Sequence, residues 1–382
     1  MLNNQAHLFD LPKDICYLNG AYMSPQLKSV TAVGQEAVLK KVRPHETRLE
    51  DFFEPVEQLK ARFAKLIGVE QQKRIALIPS VSYGIANVTR NIHLSDTDEI
   101  VLVGEQFPSN YYAWERLAKR CEASIQIVSP PATIDRTNAW NEAILEAINE
   151  DTKVVSIAHV HWADGTLFDL KAIREKTSAV GALLIIDGTQ SVGALSFSVQ
   201  EFEVDALICA GYKWLLGPYS IGLAYYGDYF DDGEPIEENW INRHNSQDFR
   251  ALVNYEECYR PFAGRYSVGE QSNFLLVPMM NRALEQVLNW GVENIQSYCK
   301  SIAVDVVQQL REMGCQIENE DQRCGHLFGI RLPDHIDLEV LKARFQKEQI
   351  FVSLRGNSIR ISPNVYNEAT DFERLMHCFR AE

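Results

Sequence analysis

No stretch of this chain approaches the eighteen or more consecutive apolar residues that a membrane-spanning helix needs. The opening segment, MLNNQAHLFDLPKD, lacks a basic start and a long apolar run, so no signal peptide is expected. Positive charge is scarce too. There are 37 Lys and Arg against 52 Asp and Glu, a formal net charge of −15. That argues against nucleic acid or an anionic membrane as the main partner. It leaves room for an anionic ligand, because a local cup of backbone N–H groups overrides the global field. The eight cysteines (16, 121, 209, 258, 299, 315, 324 and 378) form no CxxC pair. Neither a zinc site nor a disulfide framework is expected, and the chain reads as reduced and cytoplasmic. Cys209 sits in an apolar run and reads as a small core residue. Internal repeats and low-complexity tracts are absent.

What is present is a chain of 382 residues, enough for a sizeable core and two domains. Seven short apolar runs alternate with helical patterns: IALI, EIVLV, SIQIV, VVSIAHV, ALLIID, DALICA and IGLAYY. Runs without polar alternation predict strands buried on both faces, hence a mostly parallel sheet between helices. Phe52, Phe53, Val56, Leu59, Phe63, Leu66 and Ile67 fall on one helical face. Residues 228–260 read as a long irregular connection, and 278–313 as one long or two consecutive helices. The segment 327–382 alternates strand-like and helical pieces, which predicts a smaller α+β domain. We divide the chain into an N-terminal segment (1–20) packing with the small domain, a large domain (21–265) and a small C-terminal domain (266–382).

The segment from Ala182 to Gly222 is the most telling. One apolar run ends in Asp187, followed by Gly188, Thr189 and Gln190; the next ends in Gly211, Tyr212 and Lys213. A lone lysine at a strand end would ordinarily be a surface cap, and Asp187 could be a helix N-cap. Together they suit one chemistry. The lysine can hold pyridoxal phosphate (PLP) as a Schiff base, and the acid can pair with its pyridinium nitrogen. Open α/β sheets bind ligands at the carboxyl edge, where both residues fall.

Other strand ends add candidates. Ile78-Pro79-Ser80-Val81-Ser82 opens a helical pattern; Ser80 and Ser82 suit N-caps, and a phosphate there would meet free N–H groups and the positive dipole end. Phe107 follows the EIVLV strand and suits either core or ring stacking. His159, His161 and Trp162 follow a fourth strand. The two histidines have no obvious third metal ligand, and one of the three residues is expected to line the substrate pocket. Arg360, between Ile359 and Ile361, could clamp a carboxylate bidentately, with Arg355 as the competing candidate.

On these residues the chain resembles fold type I PLP enzymes of the class V aminotransferase group, which includes cysteine desulfurases, kynureninases, isopenicillin-epimerase-like proteins and some transaminases. The resemblance runs from YLNGAYMSP (17–25) to RISPNVYN (360–367). It implies an α/β fold, a large domain with a mostly parallel seven-stranded sheet plus a small α+β domain. It also implies a PLP-dependent homodimer with active sites at the interface. Lys213 is implied as the Schiff-base lysine and Asp187 as the pyridine partner. Gln190 would touch the phenolic oxygen, and Ser80, Ser82 and the Val81 N–H would bind phosphate. Phe107, Tyr212 and Trp162 complete the implied cofactor contacts. Arg360 and His161 are the expected substrate contacts. Segment 269–273, with Glu270 and Gln271, would approach the partner's phosphate.

The departures narrow the reaction. Tyr212 stands where desulfurase-like relatives carry histidine, and Phe107 where they stack a histidine; both look like the kynureninase version. Ala210 replaces a serine phosphate ligand, Glu270 a threonine, and Trp162 an asparagine or tyrosine. The stretch FVSLRGNSIR lacks the nucleophilic cysteine of desulfurases, and neither Cys324 nor Cys258 sits there. The expected activity is an aminotransferase acting on a small α-amino acid, not a cysteine desulfurase. The alternatives are a lyase cutting a Cβ–C or Cβ–S bond, an epimerase, or a non-catalytic PLP-binding protein.

Overall fold

In the computed structural model, which describes residues 2–356 and 358–380, the seven apolar runs form one sheet. Its strands are Ile75–Ile78, Glu99–Val103, Ser124–Val128, Thr152–Ala158, Leu183–Asp187, Ala206–Ala210 and Gly222–Tyr226. Named by first residue, their order across the sheet is 75, 222, 206, 183, 152, 99, 124. Pairings from the 206 strand to the 124 strand are parallel, each reached by a crossover. Gly222–Tyr226 alone runs against both its neighbours. It follows Ala206–Ala210 after only residues 211–221, and Ala210 pairs with Gly222. A connection that short carries no crossover helix, so the chain turns back as a hairpin.

The strands lack alternation because helices cover both faces. Ala206–Ala210 and Gly222–Tyr226 are buried throughout. Ser124–Val128 lies at the sheet edge, and only Val128 of it is buried. On one face Val56, Leu59 and Phe63, at helical spacing along Glu54–Leu66, pack with Leu77, Ile157, Ile186 and Leu223. On the other, Ile85, Val88, Trp114 and Leu117 pack with Ile100, Ile185 and Ile208.

The helical region expected at 278–313 is two helices, Leu276–Trp290 and Val292–Glu312. They break at Gly291, whose φ of +77° suits glycine. Val277, Met280 and Leu284 belong to the core of the large sheet. The division expected at residue 266 thus falls just ahead of a helix whose buried face packs on that core. A second, antiparallel sheet orders Ser353–Arg355, Ser358–Ile361 and Phe328–Arg331. Helices Leu338–Lys347 and Ala369–Arg380 cover it, with Phe328, Ile330, Leu341, Phe345, Ile359 and Phe372 as its core. Cys16–Tyr17 pairs in parallel with Ile350–Phe351, which ties the N-terminal segment to this unit.

Candidate active site

Five loops leave the carboxyl edge of the large sheet and converge on one cavity of about 270 Å³. Its wall includes Ser80, Val81, Ser82, Phe107, Trp162, Asp187, Gln190, Tyr212 and Lys213. These are nine of the residues expected from the sequence. Thr189, Ser109, Tyr219 and Ser220 join them; no pattern in the sequence set those four apart.

Lys213 is only 7% exposed. Gly211 determines how it enters: a Cβ there would collide with the Ile221 carbonyl. Only glycine lets the chain pass that close after the strand. Burial lowers the Lys213 pKa to about 8, with Arg360 and Arg355 adding to the effect and Asp187 opposing it. Asp187, equally buried, is pushed upward by desolvation, against hydrogen bonds from Thr189 and the charge of Lys213. Its Oδ1 accepts the Thr189 N–H at 2.9 Å. The Thr189 hydroxyl accepts the Ala210 N–H at 3.1 Å, linking the two strand ends that carry the acid and the lysine.

The Val81–Arg90 helix points its N-terminus into the same cavity. Ser80 caps it, accepting the Tyr83 N–H at 3.2 Å and lying 2.9 Å from the Ser82 hydroxyl. First-turn N–H groups of a helix have no intrahelical acceptor. Phe107 and Trp162 meet edge to face at 5.4 Å, and the Phe107 ring lies 5.5 Å from Lys213 Nζ. Gln190 is held on three sides. Its Nε2 donates to Ala21 O at 3.2 Å, its Oε1 accepts Trp214 Nε1 at 2.9 Å, and its carbonyl meets His326 Nε2 at 2.7 Å. One amide hydrogen remains for a ligand.

Arg360 is 1% exposed, yet no acid pairs with it among the described residues. Nη1 donates to Trp162 O at 2.6 Å and Nη2 to Ser353 Oγ at 3.3 Å, while Nε has no partner. Burial, then the Arg355 charge, lowers its pKa to about 9. Arg360 is not part of the cavity wall, and neither is His161. Its ring is buried behind Trp162, with Nδ1 3.1 Å from Asp164 and Nε2 3.2 Å from Glu105 O. Asp164 also pairs with Arg136 at 3.1 Å. Burial pushes the Asp164 pKa up, but His161 and then Arg136 outweigh it and hold the carboxyl well below its usual range. The Asp164–Arg136 pair had no signal beyond its spacing from His161. His159 stands apart between Phe197 and Phe202, its pKa lowered to about 3 by burial and then by His326. Glu270 and Gln271 line an adjoining cavity that shares Pro79, Ser220 and Ile221 with the first. Among the described residues no group of three or more His, Cys, Asp or Glu could hold a metal, and no helix is long and apolar enough to cross a membrane.

An acid beside a lysine, a helix N-terminus for phosphate and flanking aromatic rings form the donor set of a PLP site. The comparisons agree. The family described as Aminotransferase class-V matches residues 17–375, and the chain belongs to that family. Its cofactor is pyridoxal 5′-phosphate. An uncharacterized aminotransferase, YcbU, of Bacillus subtilis is 25% identical over 84% of this chain and 82% of its own length. Two solved structures share the fold. The apo cysteine desulfurase of Thermococcus onnurineus NA1 has a TM-score of 0.83 at 18% identity, covering 99% of this chain and 98% of that one. The cystine C–S lyase C-DES, in complex with cysteine persulfide, has a TM-score of 0.85 at 15% identity, covering 96% and 98%.

Proposed function

We propose that this chain is an aminotransferase acting on a small α-amino acid. The observation that carries the reading is the grouping of a buried lysine, a buried acid and an arginine that no acid neutralises among the described residues. PLP, when bound, supplies an electron sink for charge developing at the substrate α-carbon. Lys213 would hold the cofactor through Nζ, Asp187 would pair with its ring nitrogen, and Gln190 would offer its free amide hydrogen. Ser80, Val81 and Ser82 would take the phosphate at the helix start, with Tyr212 beside them, and Phe107 and Trp162 would flank the ring.

Arg360 binds the substrate carboxylate and so fixes the α-carbon. A pKa near 8 leaves Lys213 able to act in both directions near neutrality. Once the substrate's own amino group has replaced it on the cofactor, the freed Nζ would accept the α-proton as base and return it as acid. His161 acts at one remove: with Asp164 and the Glu105 carbonyl it fixes the turn that presents Trp162.

Tyr212 and Phe107 favour a second reading, a kynureninase-like lyase, and an epimerase shares the same early steps. Cysteine desulfurase is left out of the proposal. No cysteine lines the cavity among the described residues, burial pushes the Cys324 thiol up to about 12, and Cys258 is exposed far from Lys213 in sequence. A homodimer is part of the proposal. Its support is the adjoining cavity, where Val38, Phe274 and Leu275 leave apolar surface exposed beside Glu270. Eight free cysteines support a reducing, cytoplasmic setting.

Single-turnover assays of the holoenzyme with individual amino acids test the reading. One equivalent of keto acid, with the cofactor left in its amine form, is the expected result. Alanine or pyruvate release with PLP retained would replace it with the lyase. Sulfur transfer from cysteine would restore the desulfurase.

A further inference from the structure

Arg355 is a charged group to which the proposed function gives no task. Its position follows from the hairpin register. Ser353 pairs with Arg360, and Arg355 pairs with Ser358. Residues two apart on a strand share a face, as do directly paired residues. Arg355 and Arg360 are therefore diagonal neighbours on one face. Diagonal neighbours lie within reach of long side chains, and the Arg355 charge helps lower the Arg360 pKa after burial.

Nothing acidic offsets this. Among the described residues neither arginine forms an ion pair; Arg360 feels the Arg355 charge and the Tyr17 phenol, and Arg355 the Tyr22 phenol. Arg355 Nη1 donates only to the neighbouring Leu354 O, at 2.7 Å, and its Nε is buried without a partner. Its guanidinium lies 5.3 Å from the centroid of the Trp162 ring, while Arg360 holds the Trp162 carbonyl. Both charges reach Lys213. Two guanidiniums thus meet Trp162 of the cavity wall, one over its ring and one on its backbone carbonyl, with donor capacity unused. A planar guanidinium fork matches a carboxylate.

We infer that Arg355 receives a second carboxylate, at the side-chain end of the substrate. The substrate class is an α-amino acid with an acidic side chain. This rests on the reading that Arg360 takes the α-carboxylate.

The test compares acid with amide. The holoenzyme is titrated with aspartate and glutamate, then with asparagine and glutamine, following the cofactor absorbance. Glutarate and its monoamide, which cannot react, are titrated by calorimetry. The expected result is that the acid binds at least about tenfold tighter than its amide. Arg355→Gln brings that ratio close to one, and Arg355→Lys keeps part of it. Equal affinities in the wild type would overturn the inference, as would an R355Q protein that weakens acid and amide alike. Failure of the Arg360 reading looks different: an R360Q protein that binds both amino acids as tightly as wild type.

Discussion

Lys213 should weaken the protein that carries it, and the cost should depend on pH in a defined window. Burial takes its pKa from the ordinary 10.5 to about 8. At about 1.4 kcal/mol per pH unit, that is a penalty of about 3 kcal/mol for the charged form. Between those two values the unfolded chain binds more protons than the folded one. Stability of the cofactor-free protein therefore rises with pH across the window. The penalty is full below pH 8 and gone above the unfolded value. Lys213→Met removes the charge while keeping most of the volume. It also strips Asp187 of a favourable charge, which offsets part of the gain. The cofactor-free variant should be about 1–3 kcal/mol more stable than wild type at pH 7, with the gap shrinking towards pH 10. Urea denaturation at several pH values reads this directly. A variant that is less stable at pH 7, or a gap that ignores pH, would refute the reasoning.

Other residues make separate predictions. Asp187→Asn should weaken PLP retention about 10–100-fold, measured by cofactor release on dialysis, since a charged hydrogen-bond partner becomes neutral. Ser80→Ala should cost about 1 kcal/mol in denaturant by removing the cap on the Tyr83 N–H, and should also lower PLP affinity. Gly211→Ala should leave helix content intact by circular dichroism yet block PLP incorporation, because its Cβ meets the Ile221 carbonyl and displaces Lys213. Asp164→Asn should cost about 3 kcal/mol or more by leaving His161 and Arg136 without their acid. The folded Asp164 pKa lies below its ordinary 3.8, so its contribution is present above that value and lost as pH falls through the lower one. The variant should lack this part of the acid-induced loss of stability in unfolding curves.

The large sheet was legible because its strands are buried on both faces and read as unbroken apolar runs. Asp187 and Lys213 stood out because each ends such a run, and the carboxyl edge then brings them together. The helix at residue 54 was legible from Val56, Leu59 and Phe63 for the same reason of period. The reversed direction of Gly222–Tyr226 was not, since an apolar run carries no sense of direction; only the shortness of 211–221 hints at it. The pairing of Cys16–Tyr17 with Ile350–Phe351 joins segments too distant in sequence for any local pattern. His161 looked like a substrate contact because it follows a strand at the sheet edge. Its neighbour Asp164 turns the ring inward instead, and a spacing of three residues does not reveal which way a ring points. Arg355 and Arg360 looked like rivals in the sequence. The hairpin register puts them side by side.

The absorption spectrum of the purified protein tests the central claim most directly, in wild type and Lys213→Ala, each supplied with PLP. The wild type should show the visible band of lysine-bound PLP, which sodium borohydride fixes covalently to residue 213; the variant should show neither. A wild type without the band, or a variant that retains it, would contradict the assignment of Lys213 and Asp187 as the heart of the site.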